Sequence, residues 1–163
     1  MNSGLRKLKS EDGQVFEVEE SCLLKTKYFK DLIHDYYPDP DQEINISQID
    51  GKNLSKIIEY LRHYENEKPK EIPKPLTSSD LKPILSPWDY NFINSMSLEE
   101  CIDLANAATF LYINGLINLS TAKLASEMMN GPIEQVREKF GIKSDMTEDE
   151  MKNFEKYRLD SDE

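Results

Sequence analysis

Nine apolar side chains, Cys101, Ile102, Leu104, Ala105, Ala107, Ala108, Phe110, Leu111 and Ile113, fall nearly all the way round one helical stretch. A helix with no polar face has to run through the middle of a core, so the rest of the chain must supply elements that surround it. Ser97 and Glu100 predict its start as a capping box, in which hydroxyl and carboxylate each satisfy an otherwise orphaned backbone N–H. Asn114-Gly115 predicts its end, because glycine suits the left-handed position past a helix. The 163 residues suffice for one such core, or for one domain with a dependent extension, rather than for two independent domains.

The residues before this helix read as a small α+β unit. Leu5 to Lys9 and Val15 to Val18 are predicted strands, joined through Glu11-Asp12-Gly13, whose Asp-Gly pair is the strongest short hairpin signal. Leu24, Tyr28, Leu32 and Tyr36 recur every four residues, with Phe29 and Ile33 beside them, which predicts a helix with an apolar stripe ended by Pro38 and Pro40. Ile44 and Ile46 alternate with polar neighbours as a third strand would. Asp50 predicts the cap of a helix carrying Leu54, Ile57, Ile58 and Leu61 at helical spacing. From 65 to 87 the pattern lapses: Pro69, Pro73, Pro75, Pro83 and Pro87 interrupt any helix, and an exposed connector loop is expected.

Composition narrows the function. Twenty Lys and Arg against 31 Asp and Glu leave a formal charge of −11, which repels nucleic acid and makes it an unexpected direct partner. No apolar run reaches the length of a membrane helix and the first residues lack the apolar stretch of a secretory signal, so a cytoplasmic or nuclear protein without membrane contact is expected. Cys22 and Cys101 are far apart and each lies among apolar residues, which reads as two buried free thiols in a reducing compartment. His34 and His63 lack metal-ligand spacing and read as surface or boundary residues. There is no Gly-rich phosphate loop, nucleophile elbow or Cys-x-x-Cys pair; no cofactor, metal or catalytic residue is assigned, and the chain is not read as an enzyme.

The C-terminal segment points to binding. Leu116 to Met129 predicts a helix, and Pro132 suits the first turn of the next. Ile133, Val136 and Phe140 form a short stripe stopped by Gly141, and Thr147-Glu148-Asp149-Glu150 is a second capping box opening a helix with only Met151, Phe154 and Tyr157 apolar. Short helices with so little apolar surface are marginal alone. They either pack back on the main domain or wait for a partner, and the thin stripes favour a partner.

Two blocks and the segments after them carry a family resemblance. Lys7-Leu8-x-Ser10-x-Asp12-Gly13-x-x-Phe16-Glu17-Val18 opens the chain, and Pro87-Trp88-Asp89-x-x-Phe92 follows the connector. Leu104-Ala105-x-Ala107-x-x-Phe110-Leu111-x-Ile113-x-Gly115-Leu116, Val136-Arg137-x-x-Phe140-x-Ile142 and Asp145-x-Thr147-Glu148-x-Glu150 come next. In order and spacing the series resembles the S-phase kinase-associated (Skp) adaptor family of the Skp–cullin–F-box (SCF) ubiquitin ligases, over essentially the whole chain.

The resemblance implies an α+β POZ (BTB-like) domain over residues 1–130 and a C-terminal helical extension over 131–163 that pairs with an F-box. It implies a non-catalytic adaptor that bridges an F-box protein to a cullin in ubiquitin-dependent degradation. The F-box-binding role carries over to Leu116, Leu119, Leu124, Met128, Val136, Phe140, Ile142, Met151 and Phe154, and the cullin-binding role to Thr109 and Phe110. Trp88 and the Ala-rich helix are expected in the core. The chain departs from the pattern in having Thr109-Phe110 where the family has Asn-Tyr, Pro132 one place early, and Asp160-Ser161 in place of a Trp-Cys pair. These departures carry an alternative: a divergent structural subunit that keeps an F-box-type partner in a cullin-independent assembly.

Overall fold

In the computed structural model, which describes residues 4–143 and 147–153, the chain divides into two units at Met129. The first unit opens with β1 (Leu5–Ser10) and β2 (Val15–Glu19), antiparallel with Leu8 opposite Phe16. Gly13 takes φ +83° in the turn between them, as the Asp-Gly signal predicts. The Asp12 carboxylate accepts from the Ser10 hydroxyl and from the Gly51 N–H at 2.8 Å, so the turn is tied to a distant helix start. β3 (Ile44–Ile46) runs parallel to β1 on its other side, giving the order β2-β1-β3.

β1 turns Arg6, Leu8 and Ser10 inward. Arg6 is buried, and its guanidinium donates to the carbonyls of Asp39 at 2.6 Å and Tyr37 at 2.7 Å. Its Nε lies 3.0 Å from the Glu20 carboxylate but off the line of its N–H, an ion pair rather than a hydrogen bond. A buried charge is tolerated when its donors are matched in this way.

Two helices follow β2: α1 (Glu20–Leu23) and α2 (Lys27–Tyr36), the latter capped by the Thr26 hydroxyl, which accepts from the Phe29 N–H at 3.4 Å. The expected stripe is corrected here. Phe29 and Ile33 face the core, Tyr28 and Leu32 lie half-buried at its margin, and Leu24 and Tyr36 are exposed. After β3, Asp50 caps α3 (Gly51–His63) by accepting from the Asn53 N–H at 2.9 Å, and Leu54, Ile57, Ile58 and Leu61 are buried.

The connector departs from a wholly exposed loop. Residues 66–71 are exposed, but Leu81 and Leu85 are buried and Ile72, Leu76 and Ile84 pack against the core. The Ser126 hydroxyl donates to the Ser79 carbonyl at 2.6 Å and holds the segment down. Proline blocks helix here without preventing apolar side chains from docking one at a time. The connector ends in α4 (Pro87–Asn94), where Ser86 caps and Pro87 occupies the first turn.

The central helix α5 (Leu98–Phe110) starts with the expected capping box. It buries Cys101, Leu104, Ala107 and Ala108 but leaves Asp103 and Asn106 exposed, so it lies at the rim of the core on one side rather than fully inside. Its end also differs from expectation. The left-handed residue is Tyr112, φ +55°, and the Ile113 N–H donates back to the Ala108 carbonyl at 3.0 Å, closing a Schellman turn. A tyrosine in this conformation costs roughly 1–2 kcal/mol relative to glycine.

Gly115 instead sits inside α6 (Asn114–Met129). A Cβ there would stand 2.3 Å from Tyr60 Oη and 3.0 Å from Pro69 Cγ, so the glycine serves close approach.

The second unit contains α7 (Ile133–Phe140), which has no buried residue and ends at Gly141 with φ +65°. Residues 148–153 are helical, with the predicted capping box formed between Thr147 and Glu150.

Gly115→Ala should destabilise the first unit by about 1–3 kcal/mol through overpacking against Tyr60. Adding Tyr60→Phe, which removes the obstructing hydroxyl, should restore much of the loss; additive losses in a denaturation cycle would refute this steric account.

Candidate interaction surfaces

Among the described residues no group of three or more His, Cys, Asp and Glu stands close enough to hold a metal. Among them, no helix is long and apolar enough to cross a membrane. The two thiols are free and buried. Burial, with Glu65 nearby, pushes the Cys22 thiol up to about 11, and burial raises Cys101 as well, so neither is an activated nucleophile. His34 is exposed beside Asp35, and His63 stacks on Trp88 with centroids 3.8 Å apart.

The candidate cullin contact lies at the C-terminal end of α5. Phe110 is 36% exposed, with its ring against Tyr28 at 5.5 Å. Thr109 is exposed, and its hydroxyl donates to the Ala105 carbonyl at 2.7 Å, one turn back in the same helix. Beside Phe110 a polar groove of about 370 Å³ is lined by Asp103 and Asn106 of α5 and by Gln48, Asp50 and Asn53 at the start of α3. Asp103 and Asp50 give it an acidic character, one that suits donors from a partner. The side chains at 109 and 110 are both uncharged.

The candidate F-box contacts divide. Leu116 is 0% and Leu119 2% exposed, both within the core of the first unit, and this withdraws them from any docking face. Their spacing on α6 is the same that an interface helix would show, because one helical stripe looks alike whether its own domain or a partner covers it. Leu124 is partly buried against the core, while Met128 is 48% exposed at the end of α6. In the second unit Val136 and Phe140, one turn apart on α7, are half-buried, and Ile142 and Met151 are exposed. Phe154, the last of the set, lies outside the described residues.

Sequence reasoning missed Tyr112 and the outward turn of Tyr36. Tyr36 falls by spacing within the same stripe as Phe29 and Ile33, and periodicity does not reveal that the last residue of α2 lies beyond the reach of the core.

With that geometry in hand, comparison with known proteins agrees with the resemblance. Residues 5–66 match the Skp1 family tetramerisation domain, a POZ domain, and residues 114–157 match the Skp1 family dimerisation domain. The chain is 34% identical over 152 residues to an S-phase kinase-associated protein 1 homolog of Tetrahymena thermophila, covering 92% of this chain and 90% of that one. SKP1-like proteins 3 and 4 of Arabidopsis thaliana are each 34% identical over 144 residues, 88% of this chain and 86% of theirs. The α+β fold is therefore a POZ fold with added helices, and the chain belongs to the Skp1 family. Membership implies an adaptor role of the SCF kind, exercised through protein interaction.

Both cysteines should resist modification in the native state. At about pH 8 an aromatic disulfide reagent should titrate the two thiols only after denaturant is added. Rapid reaction of either thiol in the folded protein would contradict their burial.

Proposed function

We propose that the chain is a non-catalytic adaptor that holds an F-box protein through its C-terminal helices and a cullin through the end of α5, so that a substrate and the ubiquitin-transferring machinery share one assembly. Its contribution is effective concentration and geometry rather than chemistry. The observation that carries this reading is the state of α7: the helix has no fully buried residue, yet keeps the half-buried Val136 and Phe140 on one face, with Ile142 exposed after it. An apolar stripe too thin to form its own core becomes useful as half of an interface. On this reading a POZ part over 1–130 serves the cullin and an extension over 131–163 serves the F-box. Met128, Val136, Phe140, Ile142, Met151 and Phe154 are the contacts proposed for the F-box, with Leu124 at their margin.

One observation favours a second reading, a subunit that keeps an F-box-type partner but not a cullin. The Thr109 hydroxyl donates to its own helix and Phe110 carries no polar handle, so residues 109 and 110 direct no side-chain donor outward.

Amide exchange should separate the bound and free states. Residues 133–143 should exchange rapidly in the isolated chain and slowly once an F-box peptide is bound, and Phe140→Ala should cost that peptide about 2 kcal/mol or more. Equal protection with and without the peptide would refute the F-box half.

For the cullin half, Phe110→Lys is the informative variant. It should abolish capture of a cullin N-terminal domain, keep the F-box peptide, and lower stability by about 1 kcal/mol, since the lysine stem replaces part of the ring contact. Undiminished cullin capture would remove Phe110 from the site; capture by neither protein would leave the cullin-independent assembly as the better account.

A further inference from the structure

Along α2, Tyr28, Leu32 and Tyr36 stand at successive turns, and Tyr112 from the turn after α5 faces them across a groove of about 440 Å³. The groove lies wholly within the first unit. Two of its four walls are strongly exposed, Tyr36 at 72% and Tyr112 at 73%. Neither ring reaches the core, so burial within this chain explains neither.

Tyr112 is also held at φ +55°, a conformation that disfavours any residue with a Cβ. Its backbone place is the left-handed position of the Schellman turn ending α5, where glycine would serve the fold better. A strained backbone and an exposed ring at one residue are two separate disadvantages for folding, and they coincide at the mouth of the groove. Strain of this sort collects where a side chain is kept for contact with something else.

The rim indicates what that something is. Asp31 and Asp35, one turn apart on α2, border the groove, with Lys27 at the helix start. Asp35 sits 2.7 Å from the exposed His34 ring, and Asp31 makes no ion pair among the described residues. Aromatic faces beside carboxylates form a receptor for cationic side chains, the rings supplying cation–π attraction and the carboxylates the charge. The chain's net charge of −11 draws a basic partner in and opposes a second copy of the chain, which would bring the same acidic rim. From Tyr28 to Tyr36 the groove follows about 12 Å of helix, a length that two turns of a partner helix match.

We propose that this groove docks a short basic amphipathic helix of another protein, with an aliphatic side chain against Leu32 and an Arg or Lys between Tyr36 and Tyr112. The groove shares no residue with the F-box contacts and adjoins the Thr109–Phe110 contact, where the Phe110 ring lies 5.5 Å from that of Tyr28.

The test uses the full chain and a fluorescein-labelled peptide carrying two arginines and two leucines at helical spacing, with a second peptide in which glutamate replaces both arginines. The arginine peptide should bind saturably and shift the ring resonances of Tyr36 and Tyr112, and the glutamate peptide should bind at least about tenfold more weakly. Tyr112→Gly should weaken the arginine peptide by about fivefold or more while its thermal midpoint stays level or rises, a combination that a structural role for the ring does not produce. Asp31→Lys should weaken the peptide without loss of fold. The proposal is overturned if saturable binding is absent up to about 1 mM peptide, a range in which even weak anchored contacts register. It is equally overturned if both peptides bind alike, if Tyr112→Gly binds as the parent does, or if Tyr112→Gly abolishes a concentration-dependent self-association, which would make a second copy the occupant.

Discussion

The start of α6 meets α3 at one tight point, Gly115 beneath Tyr60, while α5 supplies the main packing along α6. Tyr60 reaches across from α3 until its hydroxyl lies where a Cβ of residue 115 would be, and only glycine leaves the space. The contact sets how closely the first turn of α6 can approach α3, and the turns that follow bury Leu116 and Leu119 in the core. The Tyr60 ring also anchors a cluster with Tyr64 at 4.9 Å, Phe92 at 6.2 Å and Trp88 at 6.3 Å, joining α3 to α4. The Tyr60 hydroxyl is buried with no partner, which costs about 1–3 kcal/mol. Burial of the ring returns a similar amount, so the residue acts less as a source of net stability than as a spacer between two helices.

The apolar residues of the two units are used differently. In the first, side chains from three strands and six helices converge, and even the proline-interrupted connector contributes Leu81 and Leu85 to the core. In the second, no described helical residue is fully buried and Val136 and Phe140 are only half-buried, although caps and stops are well formed: Gly141 ends α7 and Thr147 caps the residues after it. Local signals thus specify helices that tertiary packing within the chain does not stabilise. On the proposed function this division has a purpose, since helices left thinly packed by their own chain can take their final packing from a partner.

Elements whose cause is local could be read from the sequence. The Asp12-Gly13 turn, the caps at Asp50 and Ser97, the box at Thr147 and the stop at Gly141 depend on a few consecutive residues, and each formed as expected. Features set by distant partners could not be read. Arg6 looks like an ordinary strand residue, and its acceptors lie 31 and 33 positions away. Asn114-Gly115 reads as a helix stop because the sequence does not reveal Tyr60 above the glycine. At the candidate sites, periodicity located the apolar side chains on α6 but not whether Leu116 and Leu119 served the core or a partner, since the stripe is the same in both cases. The exposed end of α5 was foreseeable from the resemblance, whereas Tyr112 was not, because its importance rests on a backbone angle.

Trp88 is the single tryptophan of the chain, and it stacks between His63 at 3.8 Å and Phe92 at 4.8 Å. Its emission therefore reports the junction of α3 and α4, at the margin of the first unit's core. No tryptophan follows residue 129, so tryptophan fluorescence is silent about the second unit. A denaturation curve recorded this way describes the platform alone. A ligand that orders the terminal helices would leave that curve in place while changing the far-ultraviolet circular dichroism, which makes the two optical signals a built-in means of telling platform from arm.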